Sequence, residues 1–283
     1  NLAWLARRHG NRIRFLQADI RDRTAVDAAI AEAGSVFHFA AQVAVTISLT
    51  DPRTDFDVNA AGTLNVLEAV RRRGGAVPLV FASTNKVYGD LADIVLERGT
   101  TAYVPADPDI RDHGVDERRS LDFHTPYGCS KGAADQYVLD YARSFDLPAT
   151  VLRMSCIYGP LQRGTEDQGW VAHFLIRALA GAPITIYGDG CQVRDVLHVE
   201  DAIAAYRACR QNIAAAAGRA FNLGGGPDNA VSLLQVLGEI ERIVHRPIKA
   251  DRADWRAGDQ RYYVSDTRRA MDVLGLARPR AWR

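Results

Sequence analysis

Tyr127 and Lys131 lie four residues apart in the stretch FHTPYGCSKGAADQYVLDY (123–141) and are the side chains best suited to acid–base chemistry in this sequence. Pro126 precedes Tyr127 and suits the first turn of a helix, where a missing N–H costs nothing. Ala133, Ala134, Tyr137, Val138 and Tyr141 then recur at helical spacing. A phenol and an ammonium at i and i+4 share one helical face, and a nearby positive charge favours the phenolate. The expectation is a tyrosine of lowered pKa that takes an alcohol's proton while hydride leaves the same carbon. A solvated helix produces the same spacing by accident, so the surrounding elements must decide.

Those elements alternate. The pattern predicts a strand over 13–20, a helix over 22–33, a strand over 35–40 and a long helix over 54–73. A strand over 78–84, a loop-rich excursion to 124, the Tyr127 helix and a strand over 150–155 follow. Nearly continuous apolar strands separated by helices indicate an α/β chain with a doubly wound parallel sheet covered on both faces. Small or polar residues end three of these strands: Ala40-Ala41-Gln42, Ser83-Thr84 and Ser155-Cys156. Ligands of such sheets bind beyond the carboxyl ends of the strands. The Tyr127 helix starts on that side, which places the pair at a shared cleft.

Past Gly159 the rhythm changes to shorter strands (184–187, 220–223, 248–250), a piece VRDVLHVEDA (193–202) that leads into a helix to about 211, and helices within 164–181, 233–244 and 266–274. The sequence divides into residues 1–158 and a smaller α/β part, 159–283, with some crossing back to the sheet expected. Across 283 residues the formal charge is +1, with Lys and Arg spread along the chain. There is therefore no basic face for nucleic acid. No apolar run reaches the roughly 18 residues that cross a bilayer, and no signal peptide is evident. The 4 cysteines stand apart without a CxxC, which argues against a zinc or other metal site and fits a reducing, cytoplasmic setting.

The residues so assembled resemble the extended short-chain dehydrogenase/reductase family, the nucleotide-sugar epimerases and dehydratases on a Rossmann fold. The likeness covers nearly the whole chain and rests on Asp19-Ile20, FHFAAQ (37–42), VNAAGT around Asn59, STNKVYG (83–89), YGCSK (127–131), RMSCIYGP (153–160) and VRDVLHVED (193–201). It implies NAD as cofactor. Asp19 and Ile20 would flank the adenine, and Phe39, Ala40, Ala41 and Gln42 would pass under the pyrophosphate and ribose. Lys131 would hold the nicotinamide ribose and depress the pKa of Tyr127, the base, with Asn59 supporting the lysine through water. Thr84 would bond the reacting sugar hydroxyl, and Ser155 and Cys156 would meet the nicotinamide and the sugar. Homodimers or homotetramers through the Asn59 and Tyr127 helices are also implied, with Val138, Tyr141 and Ala142 either on that face or in the core.

The family's dehydratases carry carboxylates after the threonine; here Asn85 and Lys86 stand there. That favours oxidation and re-reduction over elimination, although Lys86 pointing into solvent would be equally compatible with the sequence. STNKVYGD, DQGWV (167–171) and DQR (259–261) narrow the likeness to the 2-epimerases of CDP-3,6-dideoxyhexoses, which interconvert CDP-paratose and CDP-tyvelose. A 4-epimerase, a reductase or a silent nucleotide-sugar-binding protein is the alternative. Arg194 and Arg256 resemble the arginines on the substrate diphosphate, where a guanidinium fork suits phosphate oxygens; Arg194 is otherwise a salt-bridge partner of Asp195 or Glu200. Asp259 is placed on the ribose or on a neighbouring sheet, and Trp170 either lines the sugar pocket or belongs to the core. The family's opening strand, glycine-rich turn and helix have no counterpart here, and the sequence is expected to be a fragment whose N terminus is incomplete.

Overall fold

A computed structural model describes residues 1–283. Its centre is a parallel four-stranded sheet in the order Val36–His38, Leu79–Thr84, Ala149–Met154, Ala220–Leu223. Leu79–Thr84 is buried along its whole length, as a central strand covered on both faces must be. Successive residues supply different layers, because side chains alternate across a strand. Leu79 and Phe81 join Leu67 and Val70 of the helix Gly62–Arg73 and Ala134 and Val138 of the helix Thr125–Ser144. Val80 and Ala82 join Leu197, Ala205, Tyr206 and Phe221 on the other side, beneath the helix Val199–Gln211.

A second group of strands surrounds Val193–His198, which pairs with Cys156–Tyr158 and Tyr262–Tyr263 in parallel and with Ala230–Ser232 antiparallel. Ile184–Tyr187 pairs with Ala250–Ala253. The helices Trp170–Leu179 and Leu233–Val244 pack over these strands through Phe174, Ala178, Val236 and Ile240. A capping box between Ser232 and Gln235 starts the latter helix.

Several elements differ from the sequence pattern. Residues 13–19 form no strand, since the edge strand Val36–His38 pairs only with Leu79–Thr84. The long helix expected over 54–73 is Pro52–Phe56, a π-helical turn Asp57–Ala61, then Gly62–Arg73. Such turns are frequent at functional sites, and this one carries Asn59. The strand expected over 248–250 forms at Ala250–Ala253, where Ile184–Tyr187 supplies its partner. Val138 and Tyr141 are buried in the core, Tyr141 donating its hydroxyl hydrogen to Glu68 at 2.8 Å. That removes them from a surface contact.

No helix is long and apolar enough to cross a membrane.

Candidate active site

The catalytic helix Thr125–Ser144 begins with Pro126 in its first turn, as its sequence requires. The Tyr127 N–H donates to Ser48 Oγ at 3.2 Å, so the helix Val45–Thr50 supplies a partner to one of the four backbone donors that a helix start leaves open. Thr125 has φ 64, a strained value for a β-branched residue and one of the kind that clusters at active sites.

Beyond the strand ends lies a cavity of about 580 Å³, within the range of small-ligand sites. Tyr127, Thr84, Asn85, Ser155, Cys156, Trp170, Arg194, Arg256 and Asp259 all line it. Trp170 reconciles its two sequence readings: its ring packs edge-on to Phe174 at 5.5 Å while its Nε1–H reaches Cys156 Sγ at 3.2 Å on the cavity wall. Arg194 pairs with neither Asp195 nor Glu200. Its Nη2 donates to Asp259 at 2.7 Å, across the cavity wall, and its Nη1 donates to the Val193 carbonyl at 2.8 Å. Arg256 lies over the Tyr187 ring, 3.8 Å from its centroid, with Glu166 and Asp167 within 3.7 Å.

The expected coupling between Tyr127 and Lys131 is not what the geometry gives. Burial pushes the Tyr127 phenol up to about 12, with hydrogen bonding to Thr84 opposing that rise. Lys131 is buried against the strand Leu79–Thr84: its Nζ donates to the Ala82 carbonyl at 2.6 Å and sits 4.2 Å from the centre of the Phe81 ring. Burial lowers this ammonium to about 7, and the charges of Asp135 and Asp55 oppose the fall. Sharing a helical face brought the two residues to one end of the sheet, but the lysine's hydrogen bond points it inward.

The direct partners of Asn59 are other than Lys131. Its Nδ2 donates to the Gln42 carbonyl, to Asp55 and to Ser130 Oγ, all within 3.1 Å, and its Oδ1 accepts the Gln42 N–H at 2.8 Å. Gln42 in turn donates its Nε2–H to Asp55 at 2.8 Å. The loop after the edge strand is thus riveted to the π-helical turn and, through Ser130, to the catalytic helix. Asp55 is fully buried, and that burial raises its pKa against the hydrogen bonds it accepts.

The remaining residues assigned to a dinucleotide lie outside the cavity, along the sheet edge. Phe39 and Ala40 are exposed, Ala41 and Gln42 partly buried. Phe39 packs against Tyr206, with ring centroids 4.7 Å apart. Asp19 is exposed and bonded by the Arg21 guanidinium through both carboxylate oxygens, a pairing that holds its pKa down at about 2. Ile20 lies so close to Gly62 that a Cβ there would meet it at 2.8 Å. The edge loop fits a dinucleotide in one respect that the structure itself shows: the Gln42 backbone is held by Asn59, so its course is set by the protein.

The sequence profile of the NAD dependent epimerase/dehydratase family matches residues 2–224. The chain belongs to that family. It is similar to a CDP-paratose 2-epimerase of Salmonella typhi, with 43% identity over 281 residues that cover 97% of this chain and 82% of that protein. A dTDP-glucose 4,6-dehydratase of Streptomyces antibioticus is 34% identical over 95% of this chain and 72% of its own. Among solved structures, the UDP-glucose 4-epimerase of Thermus thermophilus in complex with NAD superposes with a TM-score of 0.80 at 30% identity, over 94% of this chain and 80% of that one. The family's Rossmann-type α/β architecture and its use of NAD are therefore those of this chain.

Several residues around the site escaped the sequence reading. Asp55 precedes Asn59 by four residues on one helical face, and Ser130 lies inside YGCSK; both spacings were available as signals. Asp135, four residues past Lys131, accepts two hydrogen bonds from Arg153 at 2.9 and 3.0 Å and one from Ser83 at 2.7 Å. Arg153 also donates to the Tyr88 hydroxyl oxygen at 3.0 Å, and Tyr88 donates to Asn222 at 2.8 Å. This buried chain fixes three strands of the central sheet to the catalytic helix. Nothing in the local sequence announces a pairing between a helix and strands across the fold.

Proposed function

We propose that this chain is a nucleotide-sugar epimerase that inverts C2 of a CDP-3,6-dideoxyhexose, taking CDP-paratose to CDP-tyvelose through a transient 2-keto sugar. The observation that carries the reading is the cavity wall beside Tyr127, where Asn85 and Lys86 follow Thr84 and no carboxylate does. Elimination of water needs an acid/base pair at a second carbon. Asn85 and Lys86 do not supply one at the positions that follow Thr84, which favours reversible oxidation by Tyr127 and Thr84; the cavity's carboxylates, Glu166, Asp167 and Asp259, come from other segments. The similarity to a CDP-paratose 2-epimerase supports the choice of sugar nucleotide.

In this reading residues 1–158 mainly hold NAD and residues 159–283 mainly hold the nucleotide sugar. NAD, when bound, supplies the hydride acceptor and returns the hydride. Asp19, Ile20, Phe39, Ala40, Ala41, Gln42, Ser155 and Lys131 would hold it, with Asn59 bracing the Gln42 backbone. Lys131 makes one hydrogen bond, to Ala82. An ammonium carries three donors, which leaves donors for a ribose. Thr84 and Tyr127 bond the reacting hydroxyl, and Tyr127 accepts its proton and later gives it back. Positive charge brought beside the phenol lowers a pKa that burial alone holds near 12. Arg194 and Arg256 hold the diphosphate, while Asp259, Cys156 and Trp170 complete the wall. The partner is a second copy of the chain, a dimer or tetramer, consistent with the exposed Phe56 and Tyr137 on the helices that carry the site.

Incubation with CDP-paratose, UDP-glucose and dTDP-glucose separately, with products resolved by NMR, tests the reading. The expected product is CDP-tyvelose without net change in NADH absorbance. No turnover of the CDP sugar, or turnover of UDP-glucose alone, ends it.

A further inference from the structure

Two stretches about 170 residues apart interlock on one wall of the cavity. The Lys86 Nζ donates to the Gly258 carbonyl at 3.0 Å and lies 3.8 Å from Asp259 Oδ1, while Asn85 Nδ2 reaches Gln260 Oε1 at 3.5 Å. Gln260, fully buried, donates back to the Gly89 carbonyl at 2.7 Å. Gly258 has φ +67, and a Cβ there would meet the Thr125 methyl at 2.7 Å, so this close approach depends on glycine. The interlock therefore touches the strand end that carries Thr84 and the start of the helix that carries Tyr127. Lys86 does not point into bulk solvent. Its side chain is 21% exposed, and the cavity is what it faces.

The donors on this wall are unequally committed. Arg194 directs its guanidinium at Asp259 and the Val193 carbonyl. Arg256 is spread over the Tyr187 ring and the Glu166 carbonyl. Lys86 makes one hydrogen bond, and Asp259 lies too far for a second. An ammonium has three donors, so Lys86 keeps N–H bonds free for a ligand. Its own backbone N–H donates to Thr84 Oγ1 at 3.2 Å, which places the Lys86 backbone beside the hydroxyl that bonds Tyr127. From these observations, and resting on the nucleotide-sugar reading above, we propose that Lys86 is the residue that recognises the hexose, donating to an oxygen of the sugar on the side of the cavity where Tyr127 acts. It acts as a positioning residue, held in place by the Gly258–Gln260 segment. Burial and the neighbouring Arg194 lower its pKa to about 8, with Asp259 opposing, so it carries its charge at neutral pH.

The test compares a nucleotide with the same nucleotide bearing its sugar. Titration calorimetry with CDP and CDP-paratose is run on the wild-type chain, Lys86→Met, which keeps the length of the stem, and Lys86→Arg, which keeps the charge. The expected result is unchanged CDP affinity in Lys86→Met and at least tenfold weaker CDP-paratose binding, partly restored in Lys86→Arg. Equal losses for both ligands would place Lys86 on the phosphates or in the fold, and no loss for either would leave it without a ligand; both outcomes overturn the proposal. Should Lys86→Met fail to fold, Lys86→Gln is measured in the same way. If the wild type binds CDP-paratose no better than CDP, the choice of sugar nucleotide is wrong. The UDP/UDP-glucose and dTDP/dTDP-glucose pairs then decide the role of Lys86, and a ratio unmoved by its replacement in every pair rejects it.

Discussion

The cavity wall and the sheet edge are built in opposite ways. On the cavity wall, partly or fully buried polar side chains tie distant segments together, Arg194 to Asp259 and Lys86 to the Gly258 carbonyl, and behind the wall Arg153 is paired with Asp135. Along the edge, Asp19 pairs only with its neighbour Arg21, and Phe39 is 56% exposed. Side chains locked by packing and hydrogen bonds hold a geometry within the tolerance that catalysis needs, whereas an exposed pair two residues apart holds little. The asymmetry assigns chemistry to the wall and attachment to the edge. The Gln42–Asn59–Ser130 linkage joins the two.

The largest effect that would test this contrast is at Tyr127. Tyr127→Phe removes the proton acceptor and one cavity hydroxyl while keeping the ring packed. Turnover is expected to fall by about 10²–10⁴-fold, the usual worth of a positioned acid or base, with little change in the unfolding midpoint. A loss below tenfold would move the proton transfer to another group and weaken the case for the wall as the reacting side.

Asp135→Asn tests whether the wall is held by its buried network. Arg153 and Asp135 are almost completely inaccessible, so removing the carboxylate's charge leaves a buried guanidinium without its counter-ion. Breaking such a pair costs about 3–5 kcal/mol, to be read from urea unfolding monitored by tryptophan fluorescence. The double variant Asp135→Leu/Arg153→Met should recover much of the loss, because an apolar pair of similar volume has no charge to desolvate. If the single variant loses less than about 1 kcal/mol, water reaches this network and the wall is softer than its contacts indicate.

How much of this was legible in the sequence follows the same division. The central strands and their ends could be read from unbroken apolar runs, and Leu79–Thr84 and Ala220–Leu223 lie within a residue of expectation. Of the residues lining the cavity, Thr84, Ser155 and Cys156 could be named because they end strands and strand ends converge, whereas Asn85, Trp170, Arg194, Arg256 and Asp259 came from the family resemblance. What failed was orientation. Helical spacing put Lys131 near Tyr127 but could not tell that the Ala82 carbonyl would draw the ammonium inward. Asn59 was named from the family resemblance as a support of Lys131 through water, and its direct partners Gln42 and Ser130, set by the π-helical turn, could not be read from the spacing. Lys86 was left between solvent and site because its fate depends on Gly258, 172 residues away.

The inward turn of Lys131 carries its own prediction. With its pKa lowered to about 7 in the fold from an ordinary 10.5, the unfolded chain holds a proton between those limits that the folded chain has released. Stability therefore rises with pH through this window, and is lost as pH falls toward 7, by at most about 1.4 kcal/mol per pH unit from this one group. Asp135 and Asp55 face the ammonium and limit the effect. His38, buried and held near 3, stays neutral throughout. Buried cysteines work the other way, since Cys209 is pushed up to about 12, so the measurement must be a difference. The unfolding free energy of the wild type minus that of Lys131→Met, taken from pH 7 to 9, is expected to climb. A flat difference would mean that Lys131 stays protonated in the fold and already faces enough negative charge.

The smallest effect on stability is expected at the edge, and it separates attachment from architecture. Asp19 is exposed and its pairing with Arg21 spans two residues, so Asp19→Ala should leave the unfolding midpoint where it is. If the edge serves attachment, the same variant weakens NAD binding several-fold, as measured by equilibrium dialysis, because a carboxylate held by Arg21 keeps unused lone pairs for a ligand's N–H groups. The contrast then sharpens: Asp135→Asn alters stability strongly, Asp19→Ala alters only affinity. A drop in midpoint for Asp19→Ala comparable with that of Asp135→Asn would break it, because residues 13–21 would then be part of the framework that positions Asn59 and, through it, the catalytic helix.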